Sequence, residues 1–133
     1  MRKTLTIALV ATLMTSTAMA RPSLQSVTVV ENGLLTLSVA NKIRRECDDI
    51  AGRLLKARGM MQDLYNHARK KGYSDDEIKA YMNADAEKSR MRSKRDAYLK
   101  AKGVVKSQPE TYCAAGRAEI KQSSQIGALL RAK

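Results

Sequence analysis

The stretch DDIAGRLLKARGMMQDLYNHARKKG, residues 48–72, decides the fold. Ile50, Leu54, Ala57, Met61, Leu64 and Ala68 return at intervals of four and three, the spacing that lines one face of an α-helix. Met60 and Leu55 widen the stripe, which is shaped to pack on another helix. Asp48 or Asp49 is placed to cap its start. Arg69, Lys70 and Lys71 put cations beside the last carbonyls, and Gly72 follows as a residue that takes positive φ without strain.

Upstream, two templates compete. Asn32-Gly33 precedes Leu35, Leu37 and Val39, which alternate with Thr36 and Ser38 as a hairpin strand does. Leu34, Leu37, Ala40, Ile43 and Cys47 recur at three and four, and that pattern persists through charged residues where the alternation stops. A lone hairpin is marginal in water, and no further strand is visible in the chain. The spacing predicts a helix over about 33–47. Residues 21–31, with Pro22 and the scattered Val27, Val29 and Val30, read as an extended N-terminal arm.

Downstream, Ser74 with Glu77 three residues on has the capping-box pattern, and Asp75 and Asp76 favour the positive helix end. The helix they open buries Ile78, Tyr81 and Met82, but Asp85 and Ser89 occupy the next core positions, so a break is expected near Asn83–Asp85. A second segment, with Ala84, Met91 and Tyr98 seven apart, should end before Gly103. Ser107 and Glu110 repeat the capping-box spacing around Pro109, and the helix that follows carries Tyr112, Cys113, Gly116 and Ile120. Ser123-Ser124 interrupts it before Ile126, Leu129 and Leu130, a cluster expected to close the core. The fold class is all-α: one helical domain over 32–133, a small bundle of four to five amphipathic helices.

The chain begins with Met1-Arg2-Lys3, an apolar run from Leu5 to Met14, and Ala18-Met19-Ala20 before Arg21. A cationic start, a short apolar core and a small-x-small site make residues 1–20 a secretory signal peptide, cut between Ala20 and Arg21. A membrane span needs about 20 apolar residues, and this run has about half that. The expected mature chain is a basic protein with no transmembrane span, destined for the periplasm or secreted. Arg2 and Lys3 leave with the leader, so 23 of the 25 Lys and Arg face all 13 acids, a net +10 over 113 residues. Phe and Trp are absent, so the core is modest. Cys47 and Cys113, two thiols in an oxidising compartment, are expected to form one disulfide that staples the bundle.

Candidates for catalysis are few. His67 is the sole histidine, and its place beside the helical stripe suits a structural or solvated role. There is no nucleophile elbow, phosphate loop or paired-histidine metal motif, and one histidine with two distant cysteines makes no zinc site. The carboxylates at Asp48-Asp49 and Asp75-Asp76-Glu77 stand where helices begin, which capping explains. No enzyme activity, cofactor or metal is expected. Lys88, Arg90, Arg92, Lys94 and Arg95 place five cations within eight residues, a candidate anion-binding surface on which Lys88, Arg92 and Arg95 share one side. Glu87 and Asp96 dilute it only slightly, and a merely solvated face is the competing reading. Nucleic acid is disfavoured as a partner, because the chain carries an export leader and the basic run has no interleaved aromatics. An anionic envelope component or an acidic protein fits better.

Several stretches resemble a known family. Ile43-Arg44 before Cys47, Gly72-Tyr73-Ser74-Asp75-Asp76-Glu77-Ile78, Ala97-Tyr98-Leu99 before Gly103, Cys113-Ala114-Ala115-Gly116-Arg117-Ala118-Glu119-Ile120, and Ser124-Gln125-Ile126-Gly127 with Leu129-Leu130-Arg131 are similar to small exported alphaproteobacterial proteins grouped as a domain of unknown function. The resemblance covers about 32–133. It implies a helical secreted domain with two cysteines and supplies no catalytic or binding residue. The sequence therefore points to a non-enzymatic interaction module of the periplasm or cell envelope. An envelope stress protein, a holdase chaperone activated by acid, is the alternative.

Overall fold

Helix α1 (Thr28–Glu46) is the axis on which most of the other elements lean. The structure, a computed structural model, describes residues 21–133; the leader expected over 1–20, with Ala20 of its cleavage site, lies outside the described residues. A single 3-10 turn, Leu24–Ser26, leads into α1. A short strand β1 (Ile50–Gly52) follows, then α2 (Leu54–Lys70), α3 (Asp75–Asn83), α4 (Asp85–Ala101), α5 (Pro109–Lys121), the one-turn α6 (Gln125–Ala128) and strand β2 (Leu130–Ala132). The bundle is mostly helical and is closed by a Cys47–Cys113 disulfide whose Cα atoms are 5.1 Å apart. Among the described residues, no helix is long and apolar enough to cross a membrane.

The helical template prevails over the hairpin in α1, and the helix starts five residues earlier than its spacing predicts. Val30 and Glu31 are buried on the same side as the later stripe, so the extended arm shrinks to the first few residues. Packing overrides the strand preference of the valines: Val30 joins Leu24, Ala68, Tyr73 and Ile78 in a satellite core. Gly33 sits inside the helix because Leu64 of α2 fills the space its side chain would take. Arg21-Pro22 is docked as well. The Tyr73 hydroxyl donates to the Pro22 carbonyl, and the Arg21 guanidinium lies 5.3 Å from the centre of the Tyr73 ring.

Two local expectations fail at α2 and α5. Asp48 and Asp49 do not cap α2; its N-cap is Arg53, with no side-chain hydrogen bond. Ile50 is the reason. It is 2% exposed in the main core, and the chain stays extended there so that Ile50–Gly52 can pair antiparallel with Leu130–Ala132. The two strands are short and far apart in sequence, so neither shows alternation. At α5, Pro109 does occupy the first turn, but Gln108 is the N-cap and Ser107 plays no part. The Ser74–Glu77 capping box of α3, the break at Ala84 and the stop before Gly103 are present.

The main core joins Val39, Ala40 and Ile43 of α1 to Ile50, Leu99, Val104, Tyr112, Ala115, Ile126, Leu129 and Leu130, with Cys47 in their midst. The C-terminal apolar cluster is thus the inside of its own domain. The Ser124-Gln125-Ile126-Gly127 sequence has a structural cause. Ser124 Oγ caps α6 by accepting from the Gly127 amide, and a Cβ on Gly127 would lie 2.1 Å from the Glu119 carbonyl oxygen.

Candidate functional site: a trough with a cationic rim

Helices α2 and α4 both rest on α1 and make far less contact with each other, which leaves a trough between them. Glu31 near the start of α1 meets Arg90 and Lys94, while Leu99 joins the core with Val39 and Ile43, so α4 runs parallel to α1. Leu64 meets Gly33, and Ala57 packs on the core that Ala40 belongs to, so α2 runs antiparallel. Tyr81 and Met82 of α3 close one end; Gly52, Arg53 and Leu129 close the other. The trough holds about 530 Å³, within the range of ligand sites, and its exposed surface is mainly apolar. Leu34, Leu37, Ala57, Met61, Met82 and Met91 form its floor and walls.

The rim is basic. Arg44, Arg53, Lys88 and Arg92 line the trough, are exposed, and make no salt bridge among the described residues. Arg53 Nε donates to the Leu130 carbonyl at 3.1 Å. Glu87, the acid in the lining, is held by Arg90 at 2.9 Å.

The five cations of α4 therefore separate into three groups. Lys88 and Arg92, one turn apart, face the trough. Arg90 and Lys94 turn to the buried Glu31: Arg90 donates to both carboxylate oxygens at 2.6 and 2.9 Å, and Lys94 donates at 2.6 Å. Arg95, expected beside Lys88 and Arg92, pairs with its neighbour Asp96 at 2.8 Å and is largely covered. The dilution by acids is stronger than the sequence suggests, because Glu31 lies 59 residues from Arg90. Glu31 is legible only once α1 is extended back through Val27, Val30 and Leu34 at three- and four-residue steps. Arg44 and Arg53 belong to other elements and enter the rim through the fold alone.

Two buried carboxylates organise the surroundings. The Arg90 guanidinium holds the Glu31 carboxyl down to about 2; burial opposes this, and Lys94 adds to Arg90. Tyr81 donates to Glu31 at 3.4 Å and is pushed up to about 12 by burial and that negative charge. Burial pushes the Glu119 carboxyl up, but the hydroxyls of Ser124 and Tyr98 and the Lys102 ammonium outweigh it and hold it below the usual range. Cys47, Asp49 and Cys113 bring three potential metal-ligating atoms within 4.8 Å, yet both sulfurs are spent in the disulfide, which leaves no thiolate. His67 lies half-buried on α2, away from the trough, beside Arg21 and Lys71.

A model of the family of unknown function DUF5333 matches residues 22–131. The chain belongs to that family. The match begins ten residues before the resemblance read from the sequence and takes in the docked Arg21-Pro22 start from Pro22 onward. No curated protein and no solved structure is significantly similar to the chain. The function of that family is unknown, so the functional reading rests on the trough.

Proposed function

We propose that this DUF5333 protein is an exported, non-enzymatic interaction module of the cell envelope, holding an anionic partner in the trough between α2 and α4. The observation that carries the reading is the rim: four cations without acidic partners among the described residues border a mainly apolar trough of about 530 Å³. Apolar surface supplies affinity by leaving water, and the cations select and steer a negatively charged partner. The leader-like first twenty residues and the disulfide support export. Two lining groups that could move protons are engaged within the fold, Glu87 by Arg90 and the Tyr81 hydroxyl by Glu31, which supports binding over catalysis.

The test is retention of the oxidised protein on anionic liposomes, peptidoglycan and polyglutamate at low and high salt. Net charge alone gives some retention, so Lys88→Glu/Arg92→Glu is compared with Arg117→Glu/Lys121→Glu, an equal change on the exposed side of α5. Salt-sensitive retention that the rim variant loses and the α5 variant keeps supports the reading. Equal retention of the two variants, or none by the native protein, overturns it.

The acid-activated holdase is the weaker reading. It needs the bundle to open near pH 3, where Glu31, held near 2, still ties α1 to α4.

A further inference from the structure

We infer that the trough receives an acidic amphipathic helix from a partner protein. This rests on the trough being an anion-facing docking site and adds the chemistry of its occupant.

The distribution of charge makes the choice. Lys88 stands towards the α3 end, Arg92 one turn further along α4, and Arg44 and Arg53 towards the end that β1 closes. A single-headed amphiphile, such as a fatty acid or a lysophospholipid, carries its charge at one point and needs its cations gathered there. Cations strung along the rim match acids repeated along a rod. Lys88 and Arg92, four residues apart on a helix, meet acids spaced at the same interval on an opposing helix.

The dimensions agree. From Leu34 to Arg44 the floor follows ten residues of α1, about 15 Å or nearly three helical turns. A helix with side chains is about 10 Å across, and about 530 Å³ along that floor takes a row of side chains rather than a whole helix, so an incoming helix seats its apolar face and leaves its acidic face at the rim. Two helices on a third with a gap between them is a bundle with one position unfilled, and an inserted helix completes it.

The lining also favours a peptide. Of the four methionines beyond residue 20, Met61, Met82 and Met91 line the trough. Unbranched thioether side chains repack around varied apolar residues, a property of surfaces that accept helical segments. Leu54, at the start of α2, is 64% exposed on the same wall, an apolar side chain that an incoming helix covers.

The experiment titrates the oxidised protein into a fluorescein-labelled peptide of about 18 residues, with Leu at positions i, i+3, i+4 and i+7 and Glu on the other face. The same peptide with Lys for Glu, and monomeric dodecyl phosphate as a single-chain anion, are the comparisons. Expected are saturable anisotropy, a gain in peptide helicity by circular dichroism, and weakening by salt. Lys88→Glu/Arg92→Glu should weaken binding about tenfold or more, and Arg117→Glu/Lys121→Glu at most about twofold. Met61→Glu, which puts an acid on the half-buried wall, should also abolish peptide binding while the far-ultraviolet spectrum of the protein stays native. Absence of saturable binding by the acidic peptide, equal binding of the Lys peptide, or equal losses in the two double variants overturns the inference. Dodecyl phosphate binding without peptide binding also overturns it, yet leaves anion docking standing. Failure on all the anionic matrices above removes both.

Discussion

Glu31 shows how one side chain redirects a charged surface. It is 7% exposed and gathers Arg90, Lys94 and Tyr81, so two cations that the sequence offers to solvent become internal ties between α1 and α4. Its carboxyl is held near 2, below its value in an unfolded chain, so it contributes fully above about pH 4.5 and the contribution fades as pH falls towards 2. A shift of that size corresponds to roughly 3 kcal/mol. Glu31→Gln should lower the unfolding free energy in urea at pH 7 by about 2–3 kcal/mol and flatten its dependence between pH 4.5 and 2. An unchanged acid profile would show that Glu31 is not the tie. Glycines supply a second residue-scale contrast. A Cβ at Gly127 would press on the Glu119 carbonyl and the Ile120 nitrogen, backbone atoms that cannot give way, so Gly127→Ala should cost about 2 kcal/mol or more. Gly59, exposed within α2, has nothing within 4 Å of such a Cβ, and Gly59→Ala should stabilise by about 0.5–1 kcal/mol. Thermal melts of the two variants check the opposite signs.

At the scale of elements, what could be read in the sequence depends on how local each cause is. The α3 capping box, the break at Ala84 and the stop before Gly103 follow from residues within a turn of one another, and each is where its spacing puts it. The start of α1 is set by distant contacts of Val30 and Glu31, so the local preference of Val27, Val29 and Val30 misleads. The β1–β2 pair is the extreme case, because Ile50 and Ala132 are partners with most of the chain between them. Ile50 fits the helical period of α2 by sequence, yet burial in the main core takes it out of that helix. The candidate site divides along the same line: Lys88 and Arg92 were visible as a basic run, whereas Arg44, Arg53 and the methionine lining come together only through packing. The β2 strand can be tested directly. Leu130, 1% exposed, is held by that pairing, and Leu130→Ala should cost about 3 kcal/mol in urea denaturation. Leu55→Ala, at a residue 84% exposed, should stay within about 0.5 kcal/mol. Similar losses in the two would mean that the tail does not seal the core.

On the scale of the whole molecule, a basic domain with a modest core depends on cross-links as well as burial. The disulfide ties the end of α1 to α5 and closes a separation of 66 residues. A loop of that length corresponds to about 4 kcal/mol in the chain-entropy account, a large part of a small domain's total. Acid works against this. As carboxylates take up protons, the net charge climbs and self-repulsion grows. Glu31 resists this, because Arg90 and Lys94 hold its carboxyl down to about 2. At pH 3 the oxidised protein should therefore keep its near-ultraviolet circular dichroism, with α1 joined to α4 by charge and to α5 by sulfur. Reduction at neutral pH should lower the unfolding free energy by about 4 kcal/mol, and reduction followed by transfer to pH 3 should abolish the tertiary signal. The oxidised protein at pH 3 decides between the two functional readings. A folded bundle presents the trough as built and leaves no room for an acid-opened holdase, whereas an open one with the disulfide intact would mean that neither tie governs the domain.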